Sequence, residues 1–189
     1  MIKEFLLNDE AIRGLRALCG QIFISAGGEN LDDYALAESI VIKTREFAVV
    51  VGCELVVSDF EGFNDDYPIL YAGKVRESET VGVQLHRVAS SALTGNVIDD
   101  VIVLRETISL TRNGQRVWDK TSDIGVVLKI GQAGLAFVNL TDFDVVCKLT
   151  YHPKFRDQDL HSTRILSDEE QENVYSYHRQ LLSLGGGNA

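Results

Sequence analysis

Residues 101–120 read VIVLRETISLTRNGQRVWDK. Two runs rich in β-branched and apolar residues meet at Asn113-Gly114. Both central residues of a type I′ turn need a positive φ, which Asn-Gly supplies, so the stretch predicts a β-hairpin with a two-residue loop. Such a loop sets the register. Arg112 is then expected opposite Gln115, Leu110 opposite Val117, Ser109 opposite Trp118 and Ile108 opposite Asp119. Alternation along each strand sorts the side chains onto two faces. Ile102, Leu104, Ile108, Leu110 and Val117 fall on an apolar face. Arg105, Thr107, Ser109, Thr111, Arg116, Trp118 and Lys120 fall on a wet one.

Each face suggests a chemistry. On the wet face Arg105, Arg116 and Lys120 surround Trp118 among hydroxyls. Beside the plain reading of a solvated sheet, Trp and Arg are the residue types that anchor protein interfaces. A cationic aromatic strip also suits a phosphate backbone with a stacked base, or a sugar. On the apolar face the expected register brings Glu106 diagonally to Asp119, with Asp123 near them. Half-buried neighbouring carboxylates are what a general acid/base pair or a Mg²⁺, Mn²⁺ or Ca²⁺ site needs, because mutual repulsion raises one pKa and a cation relieves it. Glu106, Asp119 and Asp123 are therefore the candidate metal residues, and Arg105, Arg116, Trp118 and Lys120 the candidate partner-binding residues.

Outward from the hairpin, the chain reads mainly as strand. Asn8 can cap a helix over about Asp9 to Cys19, with Ile12, Leu15 and Leu18 at helical spacing. Leu31 to Phe47 reads as a short helical turn feeding a strand at Ser39–Thr44, where β-branched residues favour a pleated surface. Phe47 to Ser58 is an apolar strand interrupted by Gly52 and Glu54. Residues 59–67 then read as an acidic, aromatic loop; its oxygens (Asp59, Glu61, Asn64, Asp65, Asp66) are of the kind that ligate Ca²⁺ or Mg²⁺, though without EF-hand spacing. From Glu46 to Gly73 there are six acids and no Lys or Arg, a charge complementary to the hairpin's basic face. Ile69–Val75 and Thr80–His86 predict a hairpin. Ile124–Ile130, Leu135–Leu140 and Phe143–Tyr151 predict an antiparallel meander. Ser167 with Glu170 has the form of a capping box, and Val174, Tyr177, His178, Leu181 and Leu184 follow at helical spacing, so a closing helix is expected, ending at Gly185.

The 189 residues suffice for a sizeable core, and 45% hydrophobic with 24% charged residues is ordinary globular composition. The expected fold is α+β and mainly β: an antiparallel sheet of roughly eight to ten strands curled into a sandwich or open barrel, with a helix near each terminus. One domain is expected over residues 1–184, with residues 185–189 a flexible tail.

The net charge of −10 makes a soluble chain and opposes the approach of a nucleic acid. Cys19, Cys53 and Cys147 form no CxxC and are expected to be reduced, buried and cytoplasmic, with no disulfide framework. Lys3 with the short patch Phe5-Leu6-Leu7 is not a signal-peptide pattern, and the longest apolar run, Phe47 to Cys53, is too short to cross a bilayer. His86, His152, His161 and His178 lack metal-ligand spacing. No P-loop, GxSxG or SxxK occurs, and no GxGxxG follows a strand.

These features favour a non-catalytic interaction or adaptor protein that binds a protein partner, or itself as a homo-oligomer, through its sheet surface. The alternatives are a divalent-metal phosphoester hydrolase and a nucleic-acid or sugar binder on the Trp118 face.

Overall fold

β-branched runs divided by short polar turns leave little of this chain for helix. The computed structural model is accordingly mainly antiparallel sheet, with one helix among the described residues. It describes residues 2–28, 35–60, 63–75, 86–87, 92–139, 145–156, 160, 163–168 and 173–185. In chain order the elements are β1 (Ile2–Phe5), α1 (Asp9–Arg16), β2 (Phe23–Gly28), β3 (Leu36–Ala37), β4 (Ser39–Thr44), β5 (Ala48–Phe60), β6 (Phe63–Val75), β7 (His86–Arg87), β8 (Asp100–Arg112), β9 (Gln115–Ile130), β10 (Ala133–Asn139), β11 (Cys147–His152), β12 (Thr163–Asp168) and β13 (Asn173–Ser183). The described strands number thirteen, above the eight to ten expected. Among the described residues no helix is long and apolar enough to cross a membrane.

Two sheets pack against each other. One runs β12-β13-β8-β9-β10-β11-β3, with β1 added in parallel against β9; the other runs β6-β5-β4-β2-β7. Ile40, Ile42, Val49 and Val51 of the second sheet meet Val126, Leu128, Leu135, Phe137 and Leu149 of the first in one cluster of buried side chains. Each such side chain contributes about 1.5–3 kcal/mol on burial. Ile102, Leu104, Val127, Ala136 and Leu160 form a second cluster. β8 supplies both clusters from alternate residues, which is why Val101 to Leu104 reads as an unbroken apolar run and all four are buried.

The helix begins where the sequence predicts it, at Asp9, and ends at Arg16, three residues short of the expected Cys19. The Asn8 side chain accepts the Ala11 N–H at 2.8 Å and satisfies one orphan donor of the first turn. Ala11, Leu15 and Leu18 are buried. The strand at Ser39–Thr44 is present with the expected bounds.

The closing helix is not. Residues 163–168 and 173–183 are strands paired with each other, and β13 pairs with β8 from Asn173↔Arg112 to Ser183↔Ile102. Over Tyr177–Leu181 exposure alternates with period two, His178 and Gln180 outward. An eleven-residue ladder on the open side of β8 outweighs a weak helical spacing in a Val- and Tyr-containing segment. The fold class therefore stands with a helix near the amino terminus only.

One further expectation changes. The acidic stretch 59–67 is mostly strand, because β5 and β6 stay in register from Ala48↔Val75 to Phe60↔Phe63. Gly185, just past β13, donates its N–H to Asp100 Oδ1 at 2.7 Å. Most of the strand expected at Thr80–His86, and residues 186–189, lie outside the described residues.

Candidate functional site

The Asn113-Gly114 turn has the backbone its residue types require: φ is +50° at Asn113 and +73° at Gly114. Arg112 pairs with Gln115 and Thr111 with Arg116, as the turn dictates. The register then shifts by one. Leu110 pairs with Trp118, Ser109 with Asp119, Ile108 with Lys120, Thr107 with Thr121, Glu106 with Ser122 and Arg105 with Asp123. Val117 is the inserted residue of a β-bulge, and one inserted residue turns every later side chain of that strand to the opposite face. A second shift, with Ile124 inserted, separates Arg105↔Asp123 from Leu104↔Gly125. It falls where β9 changes neighbours. β10 covers Gly125–Ile130 and β1 covers Asp119–Ser122.

The bulge at Val117 redistributes the candidate residues. Glu106 lies across from Ser122, on the side of Leu104, Ile108 and Leu110, whereas Asp119 and Asp123 lie with Arg105, Thr107 and Ser109. The three carboxylates are not brought together, and each has an arginine of its own. Asp123 receives Arg105 Nε at 2.8 Å on Oδ1 and Nη2 at 3.1 Å on Oδ2. Its Oδ2 also accepts the Leu7 N–H at 2.8 Å, and its side chain is fully buried. Asp119 receives Arg116 Nε at 2.6 Å, and Arg116 also reaches the Ser109 hydroxyl. Glu106 receives Arg179 of β13 at 2.7 Å. Among the described residues no group of three or more His, Cys, Asp or Glu side chains is arranged to hold a metal. The hydrogen bonds that Arg105 donates to Asp123 raise the arginine's pKa above its ordinary value.

The basic strip divides in the same way. Trp118 moves to the Leu110 side and meets Tyr175 edge-on at 6.2 Å between centroids. Lys120, expected in water, is buried with its Nζ over the Tyr67 ring. Arg105 is held by Asp123, and Arg116 remains exposed. Lys120 of β9 thus meets the far end of the acidic stretch through the Tyr67 ring of β6.

A different surface is left open. β4 pairs with β5 only over Ala48–Gly52, and the Cys53 N–H donates to Glu38 O just past that point. Beyond it β5 and β6 run on as a two-stranded ribbon, and among the described residues no strand pairs with Glu54–Ser58 on the side away from β6. One side of the ribbon is packed: Tyr67 stacks on Phe5 at 5.5 Å. The other side carries Leu55 and Val57, which are 48% and 71% exposed. β6 is an edge strand along its length, and Pro68 removes one donor from that edge. Glu54–Ser58 has no such proline. The sequence signal for this surface was the odd-numbered apolar pair Leu55 and Val57 inside an acidic stretch, which reading residues 59–67 as a loop concealed.

Comparison with protein-family models, with curated proteins and with solved structures finds no match to this chain.

Proposed function

We propose that this chain is a non-catalytic interaction protein of the cytoplasm. It binds a protein partner, in the first instance a second copy of itself, by strand addition beside Glu54–Ser58. The reading rests on one observation: a strand overhang, with no described strand beside Glu54–Ser58 on the side away from β6, that carries Leu55 and Val57 into solvent. Backbone amides and carbonyls along such an edge supply affinity, and the alternating side chains supply selectivity. The metal-hydrolase alternative draws no support from carboxylates that are each neutralised by an arginine. The nucleic-acid alternative keeps Arg116 as an exposed cation but loses Trp118 and Lys120 to packing.

Light scattering coupled to size exclusion tests the reading at micromolar protein. The wild type is expected as a dimer or larger, and Leu55→Asp with Val57→Asp as a monomer. The thermal midpoint should barely move, since exposed substitutions change stability by about 0.5 kcal/mol or less. A wild type that stays monomeric at tens of micromolar, or a double variant that still associates, sinks the self-association reading.

A further inference from the structure

Cys53 and Cys147 are 94 residues apart in the chain, yet their sulfurs lie 3.1 Å apart. Cys53 is on β5 and Cys147 on β11, so the pair spans the two sheets. The backbone holds both cysteines to one short crossing segment. Cys147 pairs with Ala37 of β3, and the Cys53 N–H donates to the carbonyl of the next residue, Glu38, from which the chain passes into β4. Three strands therefore fix the two sulfurs at the seam where one sheet hands the chain to the other. Asn139 Nδ2 stands 3.6 Å from Cys53 Sγ and donates to it. Spacing in the sequence carries no trace of this, because the partners come from different sheets.

We infer that Cys53 and Cys147 are a site of reversible oxidation, closing an inter-sheet disulfide in response to a small hydroperoxide. One thiol of the pair hydrogen-bonds to the other. Cys53 is held below its ordinary pKa by the Cys147 thiol, against burial and with help from the Asn139 amide. Cys147, which keeps its proton in that bond and is buried, is pushed far up. Cys53 is the first nucleophile on this ground and also on access: it is 7% exposed and Cys147 is fully buried. Its thiolate attacks one oxygen of hydrogen peroxide. The O–O bond breaks, and the departing hydroxide takes the proton Cys53 gave up and leaves as water. The Cys147 sulfur then attacks the resulting sulfenic sulfur, the S–O bond breaks, and the hydroxide leaves with the Cys147 proton as a second water. Each sulfur loses one electron and the peroxide takes both. Burial pushes the Cys19 thiol up, and among the described residues no second cysteine is paired with it, so it serves as the internal control.

The experiment uses the full chain, treated with equimolar hydrogen peroxide and then alkylated under unfolding conditions. Titratable thiols are expected to fall from three to one. Peptide mapping without reductant should recover a Cys53–Cys147 crosslink. The thermal midpoint should rise by roughly 10 °C for a bridge across so long a loop, and dithiothreitol should reverse the rise. Cys53→Ser and Cys147→Ser should each abolish the rise, and Cys19→Ser should keep it. Three thiols surviving peroxide, or a crosslink through Cys19, overturns the inference. The wild-type map decides the matter even if a serine variant fails to fold.

Discussion

Arg105→Ala is expected to lower the stability of the fold by about 3 kcal/mol, at the low end of the range for breaking a buried ion pair because the guanidinium is itself partly exposed. The arginine is not worth that much as an attraction. Its removal leaves the fully buried Asp123 carboxylate without its guanidinium, with the Leu7 N–H still donating to Oδ2. For a chain of this length the loss corresponds to a thermal midpoint lower by roughly 10 °C. Arg105→Lys should recover only part of it, since an ammonium cannot reproduce the two-pronged contact through Nε and Nη2. The decisive variant is Arg105→Ala with Asp123→Ala. Taking away the orphaned charge should make the double change milder than the single one, and a double change that costs the sum of both singles would refute this account.

Gly125→Ala should be comparably damaging, at about 2–3 kcal/mol, for a steric reason. A Cβ built there would lie 2.7 Å from the Phe137 carbonyl oxygen and 2.9 Å from the Val138 Cα. Those are backbone atoms of the neighbouring strand and cannot rotate away, so β9 and β10 would have to separate at the residue that follows the Ile124 bulge. Gly73 on β6 is the control. Nothing lies within 4 Å of a Cβ there, so Gly73→Ala should be near neutral. Denaturant midpoints of the two variants, measured side by side, test the claim; equal midpoints would refute it.

What the sequence made legible follows the range of the interactions concerned. The Asn113-Gly114 turn, the Asn8 cap and the strand at Ser39–Thr44 are decided by residues within a few positions of one another, and each is present. The hairpin faces were not legible, because the bulge at Val117 leaves no local signature: Arg-Val-Trp-Asp alternates as well in one register as in the next. That single insertion separated Glu106 from Asp119, moved Trp118 to the other face and buried Lys120. The carboxylates' partners were hidden for the same kind of reason. Arg179 was read onto a helix, and its approach to Glu106 exists only because β13 lies beside β8. The sulfur pair depends on two sheets meeting and has no sequence period at all.

Because Ile2–Phe5 pair with Asp119–Ser122, the earliest strand of the chain cannot be placed until the hairpin behind Asn113-Gly114 exists. The hydrogen bond from Leu7 to Asp123 closes a span of 116 residues, and β13 must likewise return from far along the chain to reach β8. Such closures cost chain entropy that a local hairpin does not. The molecule is thus expected to assemble from its middle outward, with Ile2–Leu7 placed only after residues more than a hundred positions later have folded. Pulsed amide exchange during refolding reads this order: protection across Thr107–Leu110 should precede protection of the Leu7 amide, and the reverse order would exclude it.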